Sequence, residues 1–363
     1  MKKIIFITTL FSPFQIELNK CINRKGEIKF YHVFTKTSYK GRGTHWNSID
    51  SKSDNVITIN ATSKVDKIKS LFKIIKEVNP DLIIIGQIRG IVPTISRFYA
   101  WTNNVPFVFW LEQPFPKNTI ISKFLKYIDC YVNFFGTRNI IGIGERATKY
   151  YANFAPTFLI PYSQDLLSIN SKKPNRSKNE RLKFLFSGQL IVRHNIDIIL
   201  ESIKLLYIKV GSNFNFIFAA KGELMADVHN FLLANPQLKE IVSFDNEYSK
   251  WDDRLRPFYY SDVLVYPSKH SGWGLVVPEA LASELFVIST SNVESVRYFI
   301  NNNVNGLIIN ESAQELYKAM KKCIVDKDFI YSKKENILTS FFKGDVTYVA
   351  PILTKHILKT LKK

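Results

Sequence analysis

Short apolar runs bounded by turn signals alternate with segments of helical length along this 363-residue chain, and that alternation predicts an α/β fold with parallel sheets. The alternation breaks once near the middle, and the length exceeds what one small core serves, so two domains of roughly 150–200 residues are expected. The boundaries read as a first domain over 1–165, a linker over 166–181, a second domain over 182–340, and a C-terminal helical segment over 341–363 that is free to cross back to the first domain.

The first strand is Ile4–Thr8. Met1-Lys2-Lys3 and the apolar run behind it have the look of a secretion signal, but no small-residue cleavage site follows, and Ser12-Pro13 closes the run as a turn. Further strands are predicted at Ile28–Phe34, Leu82–Ile85, Pro106–Leu111 and Thr157–Ile160. Helices are predicted at Gln15–Asn23, Lys64–Val78, Pro93–Thr102, Ile120–Ile128 and Thr137–Tyr151. Ser168 to Glu180 is polar, holds one proline and shows no apolar period, which makes it the linker. Alternation resumes with strands at Leu182–Ser187, Phe214–Ala219, Ile241–Phe244, Val263–Tyr266, Phe286–Thr290 and Leu307–Ile309. The helices between and after them are Asn195–Val210, Leu224–Leu233, Asp253–Tyr260, Leu275–Ser283, Glu294–Ile300 and Ala313–Val325, with Val346–Leu361 last. In parallel sheets ligands bind beyond the carboxyl ends of the strands, so a cleft between the halves is the expected place for a site.

Composition narrows the classes. At 46% apolar residues the chain is too hydrophobic for disorder, and no run reaches the ~18–20 apolar residues of a spanning helix. Three separated cysteines without CxxC spacing argue against a disulfide framework or a zinc site and fit a reducing, cytoplasmic setting. The formal charge is +19, which leaves nucleic acid, anionic membrane and phosphorylated ligands open as partners.

Two stretches carry chemistry. The first runs from Tyr259 to Ala282: a buried strand, a stop at Pro267-Ser268, a loop with Gly272 and Gly274, and a helix opening near Leu275. Amides at such a helix start suit an anion, and small glycines let it approach the backbone. Glu279 shares a helix face with Leu275 at i+4 and would accept sugar hydroxyls beside that anion, or else simply complement the helix dipole. The second stretch, Phe184 to Asp197, ends a strand at Gly188 and places Arg193 and His194 in a short loop before a helix. Cations there would meet a pyrophosphate arriving from the first loop; the plain alternative is a solvated loop.

Together these stretches resemble the family 4 retaining glycosyltransferases, over nearly the whole second half through Phe286–Thr290 and Val304–Ile309. In the first half the resemblance rests on Ser12–Leu18, Gly43-Thr44-His45-Trp46 and Gly144–Tyr151. It implies two Rossmann-like domains facing across a cleft, the architecture called GT-B. It also implies sugar transfer from a nucleotide diphosphate to an acceptor hydroxyl with the anomeric configuration kept. The donor site would comprise Gly188, Gln189, Arg193, His194, Ser271, Gly274, Leu275, Val276 and Glu279, with Glu279 on the ribose and the amides at Gly274–Val276 on the diphosphate. Glu112, Arg193 and His194 are the residues the resemblance places at the reaction. No cofactor or metal is expected, the only Asp-x-Asp being Asp326-Lys327-Asp328 at a helix end.

The chain departs from the family pattern at several points. Ser271 stands where the first of two glutamates is usual, Gln189 and His194 stand where an Arg and a Lys clamp are usual, and Glu284, Glu294 and Asn303 replace glycines. Donors aimed at the departing diphosphate lower the barrier, so His194, where a bound diphosphate raises its pKa, would partly stand in for the lysine and make turnover faster on the acidic side of neutral, a profile that His194→Lys should flatten. Ser12, Gln15 and His45-Trp46 are further acceptor-side candidates.

Residues 1–165 hold 23 Lys+Arg against 11 Asp+Glu, the remainder 27 against 20. Lys64–Lys76 and Ile120–Ile128 read as basic amphipathic helices able to lie on anionic lipid, or as ordinary surface helices. The leading reading is a cytoplasmic, peripheral-membrane transferase extending a polyprenyl-diphosphate-linked or lipopolysaccharide-core glycan, in O-antigen, capsule or lipopolysaccharide biosynthesis. The alternatives are a catalytically weak GT-B protein acting as a glycan-binding or partner subunit, and a nucleic-acid binder, for which no module is present.

Overall fold

The computed structural model describes residues 1–36, 55–61, 63–114, 119–172 and 180–362. The chain divides into two compact units, Met1–Asp165 with Gly344–Lys363, and Leu166–Lys343.

The first unit is built on seven parallel strands: β1 (Lys2–Leu10), β2 (Ile28–Lys36), β3 (Val56–Thr58), β4 (Leu82–Ile85), β5 (Phe107–Glu112), β6 (Ile140–Ile143) and β7 (Thr157–Leu159), in the order β3-β2-β1-β4-β5-β6-β7. β1 and β4 are β-branched runs buried on both faces, as a sheet covered on both sides requires. One face is covered by α2 (Lys64–Val78), α3 (Ile91–Thr102), α4 (Ile120–Phe134) and α5 (Glu145–Tyr151), which contribute Leu71, Ile75, Tyr99, Phe134 and Tyr151 to the core. Helix α1 (Pro13–Lys25) packs with the chain's last helix. The start of α2 is fixed by Ser63, whose hydroxyl accepts from the Asp66 amide at 3.0 Å, and its end by Asn79 at φ 48.

Three expectations are corrected here. Thr137–Tyr151 is not one helix: Ile140–Ile143 is a fully buried strand between β5 and β7, and Gly144, at φ 91, turns the chain into α5. Gly142 brings that strand against Thr148, where a Cβ would lie 2.5–2.8 Å from Thr148 atoms. Strand β3, at the sheet edge, was not expected. Within the expected linker, Leu166–Ser171 forms α6, while 173–179 and the Gly43–Trp46 segment lie outside the described residues.

The second unit holds six parallel strands, β8 (Leu182–Gln189), β9 (Phe214–Lys221), β10 (Val242–Phe244), β11 (Val263–Tyr266), β12 (Phe286–Thr290) and β13 (Gly306–Ile309), in the order β10-β9-β8-β11-β12-β13. Its helices are α7 (Ile196–Val210), α8 (Met225–Ala234), α9 (Arg256–Tyr260), α10 (Val276–Ala282), α11 (Glu294–Phe299), α12 (Ala313–Val325), α13 (Lys327–Tyr331) and α14 (Lys334–Ser340). The chain then returns, and α15 (Val346–Leu361) belongs to the first unit. There Arg138 Nη1 donates to the Thr360 carbonyl at 3.0 Å, Asn139 Nδ2 to Thr360 Oγ1 at 2.9 Å, and His356 Nε2 to Asn139 Oδ1 at 3.1 Å.

Each sheet reverses its strand order once, between β1 and β4 in the first unit and between β8 and β11 in the second. The loops leaving those strand pairs diverge, which is where doubly wound sheets bind ligands.

Candidate functional site

In the second unit the two stretches singled out in the sequence are the loops that leave the switch-point strands β8 and β11, and the backbone ties them together. The Arg193 carbonyl accepts from the Lys269 amide at 2.8 Å and from Ser268 Oγ at 3.1 Å. Asn195, at φ 54, reaches over with Nδ2 to the Pro267 carbonyl at 2.7 Å. Behind them Thr290 Oγ1 donates to the Ser268 carbonyl at 2.6 Å, so β12 holds the loop from its other side. Gly188, Gln189, Arg193 and His194 are thus joined to the segment carrying Ser271, Gly274, Leu275, Val276 and Glu279.

The charge distribution differs from expectation. His194 is only 3% exposed and turned inward. Nδ1 faces the Gln189 carbonyl at 2.7 Å, which can only accept, so Nδ1 carries the proton and Nε2 accepts from the Tyr266 hydroxyl at 3.3 Å. Burial pushes this imidazole down to about 4, with the Gln189 carbonyl opposing and the Arg193 charge assisting. Enclosed in this way His194 is a neutral brace and adds no charge to the loop; the part expected of it in place of a lysine rests on a bound diphosphate raising its pKa. The permanent cation at this loop is Arg193, whose guanidinium is exposed and makes no ion pair among the described residues.

Glu279 is 5% exposed and already engaged: Arg254 Nη2 donates to Oε1 at 2.6 Å. Arg254 is fixed in turn by the Trp251 carbonyl, 2.7 Å from Nη1, and by the Trp251 ring, whose centroid lies 3.4 Å from the guanidinium carbon. The i+4 spacing placed Glu279 on the helix face of Leu275 but gave no hint of Arg254. The usable signal was chemical: a carboxylate buried near an apolar helix demands a cation, and Asp252-Asp253-Arg254 held one.

Gly274 sits at φ 92, and a Cβ there would come 2.7 Å from Val293 Cγ1 and 3.1 Å from Ser295 Oγ. Among the described residues the amides of Gly274, Leu275 and Val276 donate to no backbone carbonyl, while Ser295 Oγ donates to the Gly274 carbonyl at 2.8 Å. Ser271 is buried and lies in a parallel bridge with Val293, its amide donating to the Asn292 carbonyl at 3.3 Å. Glu284 and Asn303, which stand where glycine is usual, retain left-handed backbones at φ 61 and 64. Asp326 caps α13 through the Phe329 amide at 2.9 Å.

In the first unit Glu112 ends β5 at the sheet's carboxyl edge, exposed, and its carbonyl accepts from the Tyr151 hydroxyl at 3.0 Å. Ser12 and Gln15 follow β1, both 6% exposed, with Gln15 Oε1 buried and unpartnered among the described residues.

Residues 168–338 match the family model of glycosyl transferases group 1, a span that includes every strand of the second unit. Solved structures are similar over the whole chain. A glycosyltransferase from Rickettsia africae is 16% identical with a TM-score of 0.73, covering 100% of this chain and 99% of its own. HepE from Anabaena, in complex with UDP, is 11% identical with a TM-score of 0.75 over 99% and 100%. Sucrose-phosphate synthase from Thermosynechococcus elongatus is 12% identical with a TM-score of 0.77 over 100% of both. No curated protein matches the sequence. The fold is GT-B, and the match of residues 168–338 to group 1 on that fold supports a glycosyltransferase.

Proposed function

We propose that the chain is a retaining glycosyltransferase of family 4 that moves a sugar from a nucleotide diphosphate to a lipid-linked glycan in cell-surface polysaccharide biosynthesis. The observation that carries the donor half of this reading is the joining of the β8 and β11 loops through Arg193 and Lys269 at the switch point. HepE and the pneumococcal O-GlcNAc transferase GtfA, which share the fold, hold UDP. Here Glu279, oriented by Arg254, takes the donor ribose. Arg193 and the amides at Gly274–Val276 take the diphosphate, where charge gathers as the glycosidic bond breaks. The leaving phosphate accepts the acceptor's proton, so the protein needs no nucleophile of its own. Glu112 orients the transferred sugar or the acceptor hydroxyl.

The test is a melting-shift panel of UDP-, GDP-, ADP- and dTDP-sugars, followed by transfer to acceptors in a membrane extract. One sugar nucleotide is expected to raise the melting temperature and to yield a product that Glu279→Ala abolishes. Binding to none of them, with no product, would instead favour the non-catalytic partner subunit.

A further inference from the structure

Two helices of the first unit are amphipathic with lysines among their apolar residues, five lysines in α2 and two in α4, yet they differ completely in what their apolar faces do. In α2 that face is spent on the fold: Leu71, Ile75 and Val78 are buried, and Phe72 and Ile74 pack against the core. Its exposed residues are charged, apart from Val65 in the first turn. In α4 the apolar face is turned outward. Ile120, Ile121, Phe124, Leu125, Tyr131 and Val132 are all exposed, Ile120 by 85% and Ile121 by 73%. At 3.6 residues per turn these six fall within an arc of about 140°. The opposite side holds the helix in place through buried Cys130 and Phe134, through Arg89 Nε on Asp129 at 2.8 Å, and through Arg97 Nη1 on the Asn133 carbonyl at 3.0 Å. Arg97 also lies over Trp101, which with Phe98 extends the exposed apolar surface onto α3.

We infer that this α3–α4 face is a membrane-insertion surface for anionic lipid. The inference deepens the lipid-linked acceptor proposed above by naming the element that meets the bilayer. An apolar stripe this wide exceeds a coiled-coil seam, and aromatic with branched aliphatic side chains suit the headgroup boundary. No helix among the described residues is long and apolar enough to cross a membrane, so α4 lies along the surface. Charge selects lipid over a second copy of the chain. The first unit holds 27 Lys+Arg against 12 Asp+Glu, the second unit 23 against 19. Pairing two such faces would bring like charge together, whereas an anionic leaflet is complementary to it.

The experiment is sedimentation of the full chain with vesicles of phosphatidylcholine alone and of phosphatidylcholine with phosphatidylglycerol. The wild type is expected on the mixed vesicles, and Ile121→Ser/Phe124→Ser is expected to lower partitioning at least tenfold with an unchanged circular dichroism spectrum. Lys69→Ser/Lys73→Ser on α2 is expected to lower it less than threefold. Quenching of tryptophan fluorescence by brominated lipid should fall in Trp101→Phe. The inference is overturned if the wild type stays in solution, if the α4 variant binds as wild type does, or if the α4 variant changes a dimer to a monomer without altering vesicle binding. Sugar-nucleotide melting shifts are read without vesicles, so failure of the transferase reading is distinct from failure here.

Discussion

The buried pair of Arg254 and Glu279 permits a quantitative test by double-mutant cycle. Their side chains are 13% and 7% exposed, and stranding one partner of a buried pair costs about 3–5 kcal/mol. Glu279→Gln keeps the shape and one acceptor for Nη2, and Arg254 retains the Trp251 carbonyl and ring, so about 2 kcal/mol is expected. Arg254→Met leaves the less exposed carboxylate without its cation and is expected to cost about 3 kcal/mol. In the double variant neither charge remains to be stranded, so the total should stay near 3 kcal/mol, a coupling of about 2 kcal/mol. At about 2–4 °C per kcal/mol for a unit of this size, Glu279→Gln lowers the second unit's calorimetric transition by roughly 4–8 °C. Additivity within about 0.5 kcal/mol would refute the pair as the element that fixes Glu279.

Arg193→Ala should leave the melting temperature within about 1 °C, since an exposed, unpaired guanidinium contributes little to stability, yet lower transfer by roughly 100-fold, as loss of one diphosphate donor does. Equal losses of stability and activity would mean that the side chain is structural. His194 has a folded pKa below its unfolded value of 6.5, so its contribution is complete above that pH and is lost as pH falls toward 4, by at most about 1.4 kcal/mol per unit. Melting temperature measured from pH 7.5 to 4.5 should fall less steeply in His194→Gln, and the slope of transfer between pH 6 and 8 should be the same in both proteins. Buried His32, pushed down to about 3 by burial, adds to the acid sensitivity in the same sense. Gly222→Ala would put a Cβ 2.4 Å from the Leu190 carbonyl oxygen and 2.7 Å from its nitrogen, backbone atoms that cannot step aside, and is expected to cost about 3 kcal/mol in a denaturant titration.

Much of the second unit was legible because its strands are continuous buried runs and its loops carry glycine, proline and serine, features that local chemistry dictates. Strand β6 was not legible in the same way. Ile140–Ile143 is only four residues long and runs straight into a helical pattern, and its boundary is set by the conformation of Gly144 rather than by any change of composition. The candidate loops were found, but the state of their residues was not. Whether His194 is a cation depends on its being enclosed by Phe186, Tyr266 and the Gln189 carbonyl, and whether Glu279 stands alone depends on Arg254, 25 positions earlier. The same holds for α2 and α4, whose patterns look alike until packing decides which apolar face is spent. Burial and pairing are properties of the assembled unit, and periodicity constrains them only weakly.

Amide hydrogen exchange of the full chain, with and without a saturating amount of the sugar nucleotide that gives the largest melting shift, tests the donor site directly. Slowed exchange is expected in peptides covering 188–195 and 267–279, and Arg193→Ala should reduce it in both. Protection confined to other segments of the second unit, or to the first unit alone, would contradict the assignment of the joined β8 and β11 loops as the seat of the diphosphate.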